Sequence, residues 1–390
     1  FIFMSATNPL WASAVLLTER MVQPMDKPTV QDIFHRFYPA YLDQYSPSPV
    51  QAKVAHNIMN CKTGAYGANV CVCEDCGFVQ IHYNSCRNRC CPMCQAVPKE
   101  MWMDARREDV LDAPYFHLVF TVPDILNPVI YSNQRLLYDA LYHAASSTIS
   151  ELTADPKHLG AKVGYICILH TWGSEMNFHP HIHTILLGGG LASNNQWKDN
   201  GENFFLPIRV ISKMFRGKYL EELKRLWEED KLVFHGTAEK FRNHYTFKEL
   251  LDSCYGMDWI PHCKKTFNGA QTVIKYLGKY THRIAVSNHR IVRMDDDTVT
   301  FLVKDYRNEG QWKELTISGV EFVRRFLMHV PPRRFVRIRH YGLLCSRTKS
   351  QKLTLCRNLL GCKKYLSKLR DMEMPEILEH LYGIKVCVCK

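Results

Sequence analysis

Apolar residues recur along this chain with two different spacings. A recurrence every three or four positions predicts a helix burying one face, whereas alternation or an unbroken apolar run predicts a strand. Helical spacing runs through Ile33, Phe37 and Tyr41 and again through Val54, Ile58 and Met59, so the chain up to about Thr63 is expected to be helical. From Tyr115 to Val122 the pattern alternates through Phe116, Leu118 and Phe120 until Pro123 stops it, which predicts a strand. Leu137, Leu141, Ala145, Ile149 and Leu152 return to helical spacing. Ile166, Cys167, Ile168 and Leu169 make the stretch from Gly164 to Thr171 apolar on both faces, as a central strand requires. A further strand from His181 to Leu187 is expected to end at Gly188-Gly189-Gly190.

Beyond it lie an amphipathic helix over Ile211 to Trp227, a short strand over Trp259 to Cys263, and a helix from Asn268 to about Tyr280. A hairpin follows, with Arg290 to Met294 and Thr298 to Lys304 flanking Asp295-Asp296-Asp297. Ser318 and Glu321 have capping-box spacing for a helix through Met328, which Pro331-Pro332 ends. Strands and helices mixed without strict alternation predict an α+β fold. Three parts are expected: an N-terminal helical and zinc-binding region (1–104, with its cysteine cluster at 71–95), a central domain (105–330) and a basic helical tail (331–390).

Composition narrows the functions. Hydrophobic residues make up 46% of 390 and charged residues 23%, enough for packed cores and too apolar for wholesale disorder. No apolar run approaches the roughly 18–20 residues that cross a bilayer. The run from Leu10 to Leu17 lacks a basic lead and ends at Thr18-Glu19-Arg20, so secretion is not expected, and Phe1 to Phe3 before Met4 read as translated flank. The net charge of +12 is concentrated: Arg324 to Arg370 holds 14 Lys or Arg and no acid, leaving the rest near neutral. A basic segment of that density attracts a polyanion.

Of 16 cysteines, eight fall between Cys61 and Cys94. A disulfide framework belongs to small secreted chains, so metal ligation is the better account here. Cys73-Glu74-Asp75-Cys76 and Cys91-Pro92-Met93-Cys94 are two CxxC pairs with 14 residues between them, and two such pairs can complete a tetrahedral zinc site. Cys86, Cys90 and His82 lie within the loop and could replace a ligand or build a second site. Four thiolates leave no open position, so the zinc is expected to be structural. Arg87 and Arg89, beside Tyr83, suit contact with nucleic-acid phosphates and bases.

His179-Pro180-His181-Ile182-His183 puts His181 and His183 on one face of a strand, where both can hold one ion. Tyr276 and Tyr280 emerge from one side of the expected helix, one turn apart. A phenol with a pKa near ~10 is a poor nucleophile at neutral pH. A divalent cation on two imidazoles would polarise a phosphodiester, and a tyrosinate could then attack phosphorus, leaving a 3′-hydroxyl and a 5′-phosphotyrosine. The second tyrosine permits a second transfer.

These segments together resemble the rolling-circle transposases of the HUH endonuclease class, in the two-tyrosine group typified by insertion sequence 91. The resemblance rests on Tyr83-Asn84-Ser85-Cys86-Arg87-Asn88-Arg89 with Cys91-Pro92-Met93-Cys94, on His179 to His183 with the Gly188 to Gly190 run, on Tyr276 to His289, and on Arg337 to Leu344. It implies a zinc-binding N-terminal region and an endonuclease domain with a central antiparallel sheet flanked by helices. It also implies Mg²⁺ or Mn²⁺ at His181 and His183, with Tyr276 and Tyr280 as nucleophiles on single-stranded element ends. The third metal ligand is open among Gln271, His282 and Glu175. Lys275, Lys279, Arg283 and Arg290 near the tyrosines, and Arg333, Arg334, Arg337, Arg339 and His340 on the tail, are candidates to hold the DNA backbone. Cys90 stands where the family commonly has histidine, and Cys345 where a small residue is expected. A bacterial cytoplasmic, nucleoid-associated protein with no membrane partner is implied, with the oligomeric state open. The same residues would also suit a plasmid replication initiator or relaxase, and a non-catalytic zinc DNA-binding protein is the third possibility.

Overall fold

The structure, a computed structural model, describes residues 2–6, 27–199, 206–259, 261–265, 273, 278, 285–305 and 308–386. It opens with β1 (Ile2–Ala6), α1 (Val30–Gln44), α2 (Pro49–Met59), the hairpin β2 (Ala68–Val72) and β3 (Val79–Tyr83), and α3 (Ala96–Arg107). Capping boxes start both early helices: Thr29 and Asp32 bond reciprocally at α1, Ser48 and Gln51 at α2. The break between them lets Ile33, Phe34 and Phe37 face the same core as Val54, Ala55 and Ile58. β1, β2 and β3 form a small antiparallel sheet.

The main sheet is built from β4 (Tyr115–Thr121), β5 (Lys162–Trp172), β6 (Phe178–Leu191), β7 (Trp197–Asp199), β8 (His262–Lys265) and, much later in sequence, β12 (Ile338–Gly342). Its order is β12-β5-β6-β4-β8 with β7 beside β6, all pairs antiparallel. Helices α4 (Asn127–Ser132), α5 (Gln134–Ala154), α6 (Ile208–Glu228) and α7 (His244–Gly256) fill out its chain. Phe116, Leu118, Phe120, Cys167, Leu169, Ile182 and Leu186 point to one face and pack under α5 and α6. The opposite face carries Tyr115, Ile166, Ile168, Ile185 and Leu187, covered by Met103 of α3, by Val273 and by Leu353 and Cys356. Both faces of β5 and β6 are therefore covered, which is why their sequences lack alternation.

A second core combines α1 and α2 with β9 (Ile291–Met294), β10 (Thr298–Asp305), β11 (Gln311–Ser318) and α8 (Gly319–Met328). The N-terminal helices thus pack against residues from the far end of the chain rather than standing alone. Helices α9 (Lys349–Leu360) and α10 (Met374–Tyr382) end the described chain. No described helix is long and apolar enough to cross a membrane.

Two sequence expectations change. β6 runs through Gly188 to Gly190 instead of ending there: a Cβ at Gly189 would overlap the Trp197 ring, and one at Gly190 the Lys162 carbonyl. These glycines serve close strand approach within the sheet. β12, which lies beyond the expected boundary at 330, is hydrogen-bonded along β5 in the main sheet. The basic segment is partly neutralised by acids from elsewhere: Arg339 pairs with Asp139, Lys349 with Asp109 (2.8 Å) and Arg370 with Glu108 (2.6 Å). Helices α3 and α7 were not expected. The helix from Asn268 to Tyr280 lies outside the described residues except for Val273 and Gly278, both of them helical and buried.

Candidate metal centres

His181 and His183 lie on one face of β6 as expected. The antiparallel partner strand adds a third imidazole, because register places His170 of β5 directly opposite His181. The ring nitrogens of His170, His181 and His183 all fall within 4.8 Å of one another, and the residues are 3%, 9% and 8% exposed. His181 Nδ1 lies 2.6 Å from the His179 carbonyl oxygen, which can only accept. That bond fixes the proton on Nδ1 and turns the Nε2 lone pair inward. His183 Nε2 faces it at 3.0 Å, and His183 Nδ1 meets His117 Nε2 at 2.9 Å. Trp172 stacks on His170 with ring centroids 4.8 Å apart. Three converging imidazoles, His181 with its lone pair turned inward, fit a divalent transition-type cation.

Of the expected third ligands, Glu175 is not part of this group: its carboxylate accepts from Asn177 Nδ2 at 3.4 Å. Gln271 and His282 lie outside the described residues, as do Tyr276, Tyr280, Lys275, Lys279 and Arg283. Val273 and Gly278, on either side of Tyr276 in sequence, are described. Val273 packs with Ile166, Ile168 and Ile185, which share the histidine face of the sheet, and a Cβ at Gly278 would overlap the Met103 sulfur of α3. The signal for His170 was the hairpin itself: a turn centred near 175 and 176 pairs position 170 with 181.

The cysteines assemble differently from the expected pairing. The sulfurs of Cys61, Cys86, Cys91 and Cys94 lie within 4.8 Å of one another, with Cys86 and Cys94 at 3.8 Å. Cys73 and Cys76 do not belong to this group. The reason is strand register: β2 and β3 pair from Ala68 with Tyr83 up to Val72 with Val79, which carries the first CxxC to the hairpin tip. Five residues per strand put that tip about 16 Å from the base. At the base, Lys62 N–H donates to the Asn84 carbonyl (3.2 Å), bringing Cys61 beside Cys86. The backbone N–H of Cys86 donates to Cys61 Sγ and that of Asn88 to Cys86 Sγ, each at 3.5 Å. Hydrogen bonding to Cys86 and Cys94, together with burial, pushes the Cys91 thiol far above its ordinary pKa. A dication reverses that balance by stabilising all four thiolates, so the set fits structural zinc. Cys90 is buried beside this group, where desolvation raises its thiol pKa.

Among the arginines expected to meet DNA, Arg87 is exposed on the cysteine loop. Arg89 donates instead to the Phe335 carbonyl (2.6 Å) and the Pro332 carbonyl (3.3 Å), bracing this loop against the chain before β12. Arg339 pairs with Asp139 and stacks over the Tyr142 ring at 4.0 Å, and Arg337 is half-buried. Arg290 is 4% exposed and donates to the carbonyls of Leu302 (2.7 Å) and Ser174 (2.5 Å), so its charge serves the fold.

The chain that builds this histidine-rich sheet and four-cysteine centre matches a known family. Residues 33–122 match the family described as "Transposase zinc-binding domain", and residues 164–352 the one described as "Putative transposase". The "Putative transposase y4qJ" of Sinorhizobium fredii is 42% identical over 336 residues, 86% of this chain and 84% of that protein. The transposase for insertion sequence element IS801 of Pseudomonas savastanoi pv. phaseolicola is 30% identical over 309 residues, 78% of this chain and 72% of that protein. Among solved structures, the conjugative relaxase TrwC in complex with oriT DNA aligns with a TM-score of 0.24 and 16% identity, over 28% of this chain and 42% of that one. This is a transposase, a DNA-binding enzyme with a zinc-binding domain. The chain belongs to the rolling-circle transposases of the insertion sequence 91 type.

Proposed function

We propose that this transposase nicks and rejoins single-stranded DNA at the ends of its mobile element through a covalent 5′-phosphotyrosine, with Tyr276 and Tyr280 as nucleophiles and His170, His181 and His183 as ligands of a divalent ion. The convergence of three buried imidazoles on one sheet face carries this reading. Packing of Val273 on that same side of the sheet, and of Gly278 against Met103, which covers that side, supports it. A Mg²⁺ or Mn²⁺ ion bound there would supply Lewis-acid polarisation of the scissile phosphate and neutralise charge in the transition state. His181, its proton held on Nδ1 by the His179 carbonyl, keeps a lone pair aimed into the site. A tyrosine phenol loses its proton to solvent and forms the new P–O bond as the P–O3′ bond breaks, and the 3′-oxygen leaves as a hydroxyl. Attack by a 3′-hydroxyl on the phosphotyrosine reverses the step and rejoins a strand. The thiolates of Cys61, Cys86, Cys91 and Cys94 hold zinc in a purely structural role, and the protein acts on DNA in the bacterial cytoplasm.

The test is an adduct assay. Protein, Mn²⁺ or Mg²⁺ and an end-labelled single-stranded oligonucleotide carrying an element end are expected to give a protein–DNA band on a denaturing gel. Tyr276→Phe with Tyr280→Phe should abolish it. An adduct that survives the double change refutes the tyrosine assignment.

A further inference from the structure

We infer that His117 is a positioning residue for the metal, accepting the Nδ1 proton of His183 and thereby directing the His183 Nε2 lone pair at the ion. This rests on the proposal that His183 is a ligand.

His117 lies on β4, opposite Ile185 and two pairs along from Val119 opposite His183, so its side chain shares the histidine face. Its Nε2 is 2.9 Å from His183 Nδ1, the two rings lie 9° from parallel, and His117 is 6% exposed. The two inward imidazoles of β6 differ in how their protons are held. For His181 a backbone carbonyl settles the tautomer, because it cannot donate. For His183 the partner is an imidazole, which can donate or accept. In one arrangement His117 Nε2–H donates to His183 Nδ1, and His183 Nε2–H points at His181 Nε2 across 3.0 Å. In the other, His183 Nδ1–H donates to His117 Nε2, whose own proton sits on Nδ1. Both are neutral with equal proton count, and only the second leaves a lone pair on His183 Nε2. Metal binding therefore selects the tautomer of two rings, and His117 makes the selected state available by giving the His183 Nδ1–H an acceptor. Loss of such a partner behind a metal-bound imidazole weakens affinity by about 10–100-fold.

The experiment is calorimetric titration of the full-length protein with Mn²⁺ alone, without DNA. His117→Leu keeps apolar bulk but offers no acceptor, whereas the Oε1 of His117→Gln can still accept. The expected result is a dissociation constant about 10–100-fold weaker for the Leu variant, recovered to within a few-fold of wild type by Gln, with matching melting temperatures. His117→Phe, an aromatic of similar outline, replaces the Leu variant should that fail to fold. Equal affinity for wild type and the variants without an acceptor overturns the inference, as does a Gln variant no better than them. His181→Ala is measured alongside, since Mn²⁺ binding untouched by that change would refute the metal centre and His117's role with it.

Discussion

Replacing Cys61 by serine tests the cysteine grouping directly, because no CxxC pairing predicts a loss of zinc at that position. The 3.8 Å between Cys86 and Cys94 sulfurs matches the spacing of about 3.8 Å that two thiolates adopt on one tetrahedral zinc at about 2.3 Å. Cys61 itself is 1% exposed and sits with Val30, Ile58 and Trp172 in the second core. Zinc binding to a complete site is worth about 10–16 kcal/mol in small zinc domains at neutral pH, comparable to the whole net stability of about 5–15 kcal/mol of an ordinary domain. Serine would also bury a hydroxyl in place of a ligand, at about 1–3 kcal/mol if unbonded. A loss of even about 3 kcal/mol corresponds to a melting point lower by about 6–12 °C in a domain of ordinary size. Zinc per chain, read by a metallochromic dye after thiol modification, should fall for Cys61→Ser and Cys86→Ser together with the melting temperature. If both variants keep wild-type zinc and stability while Cys73→Ser loses zinc that Cys91→Ser also loses, the two CxxC pairs share an ion and the grouping drawn here is wrong.

Two further outcomes follow from the same geometry. His170→Ala should abolish Mn²⁺ binding in calorimetry and the DNA adduct, whereas Glu175→Ala should leave both intact; the reverse result would reassign the third ligand. His329 bonds the Thr171 hydroxyl (3.1 Å) and the Met176 carbonyl (2.9 Å), and burial lowers its pKa to about 4. The unfolded chain takes up that proton near ~6.5, so stability is lost as pH falls from about 6.5 towards 4, by about 3 kcal/mol at full extent. Denaturant melts of His329→Gln against wild type across that range should show a shallower acid slope in the variant, and identical slopes would refute the assignment.

Where burial is two-sided, the sequence was informative: β5 was visible as an apolar run, and the capped start of α8 as Ser ahead of an acid, whereas the cap at Thr29 emerged only with the fold. The histidine pair was legible because strand periodicity alone puts positions two apart on one face. What stayed hidden depends on pairing between strands. His170 joins the site through hairpin register, and Cys61 joins the cysteines because a hairpin base, not its tip, is where α2 ends. Local motifs carry no information about either. The arginines were hidden for a related reason: a guanidinium that caps carbonyls, as in Arg89 and Arg290, has the same letter as one that faces DNA. The glycine run misled because glycine permits close strand approach as readily as it ends a strand.

The placement of the histidines is held from outside the sheet that carries them. His170 and His181 face each other only if the turn from Gly173 to Asn177 keeps its length and shape. Three successive carbonyls of that turn are held by the second core: Ser174 accepts from Arg290 (2.5 Å), Glu175 from Arg325 (3.0 Å) and Met176 from His329 (2.9 Å). Met176 is fully buried in that core, as is most of Trp172, whose ring also stacks on His170. The same core contains Cys61, Cys90 and Cys91. A continuous run of packed side chains therefore joins the cysteine centre to the imidazole centre. The zinc-binding region belongs structurally to the framework that sets the histidine register, which explains why its helices pack on residues 285–330 instead of forming a detached head.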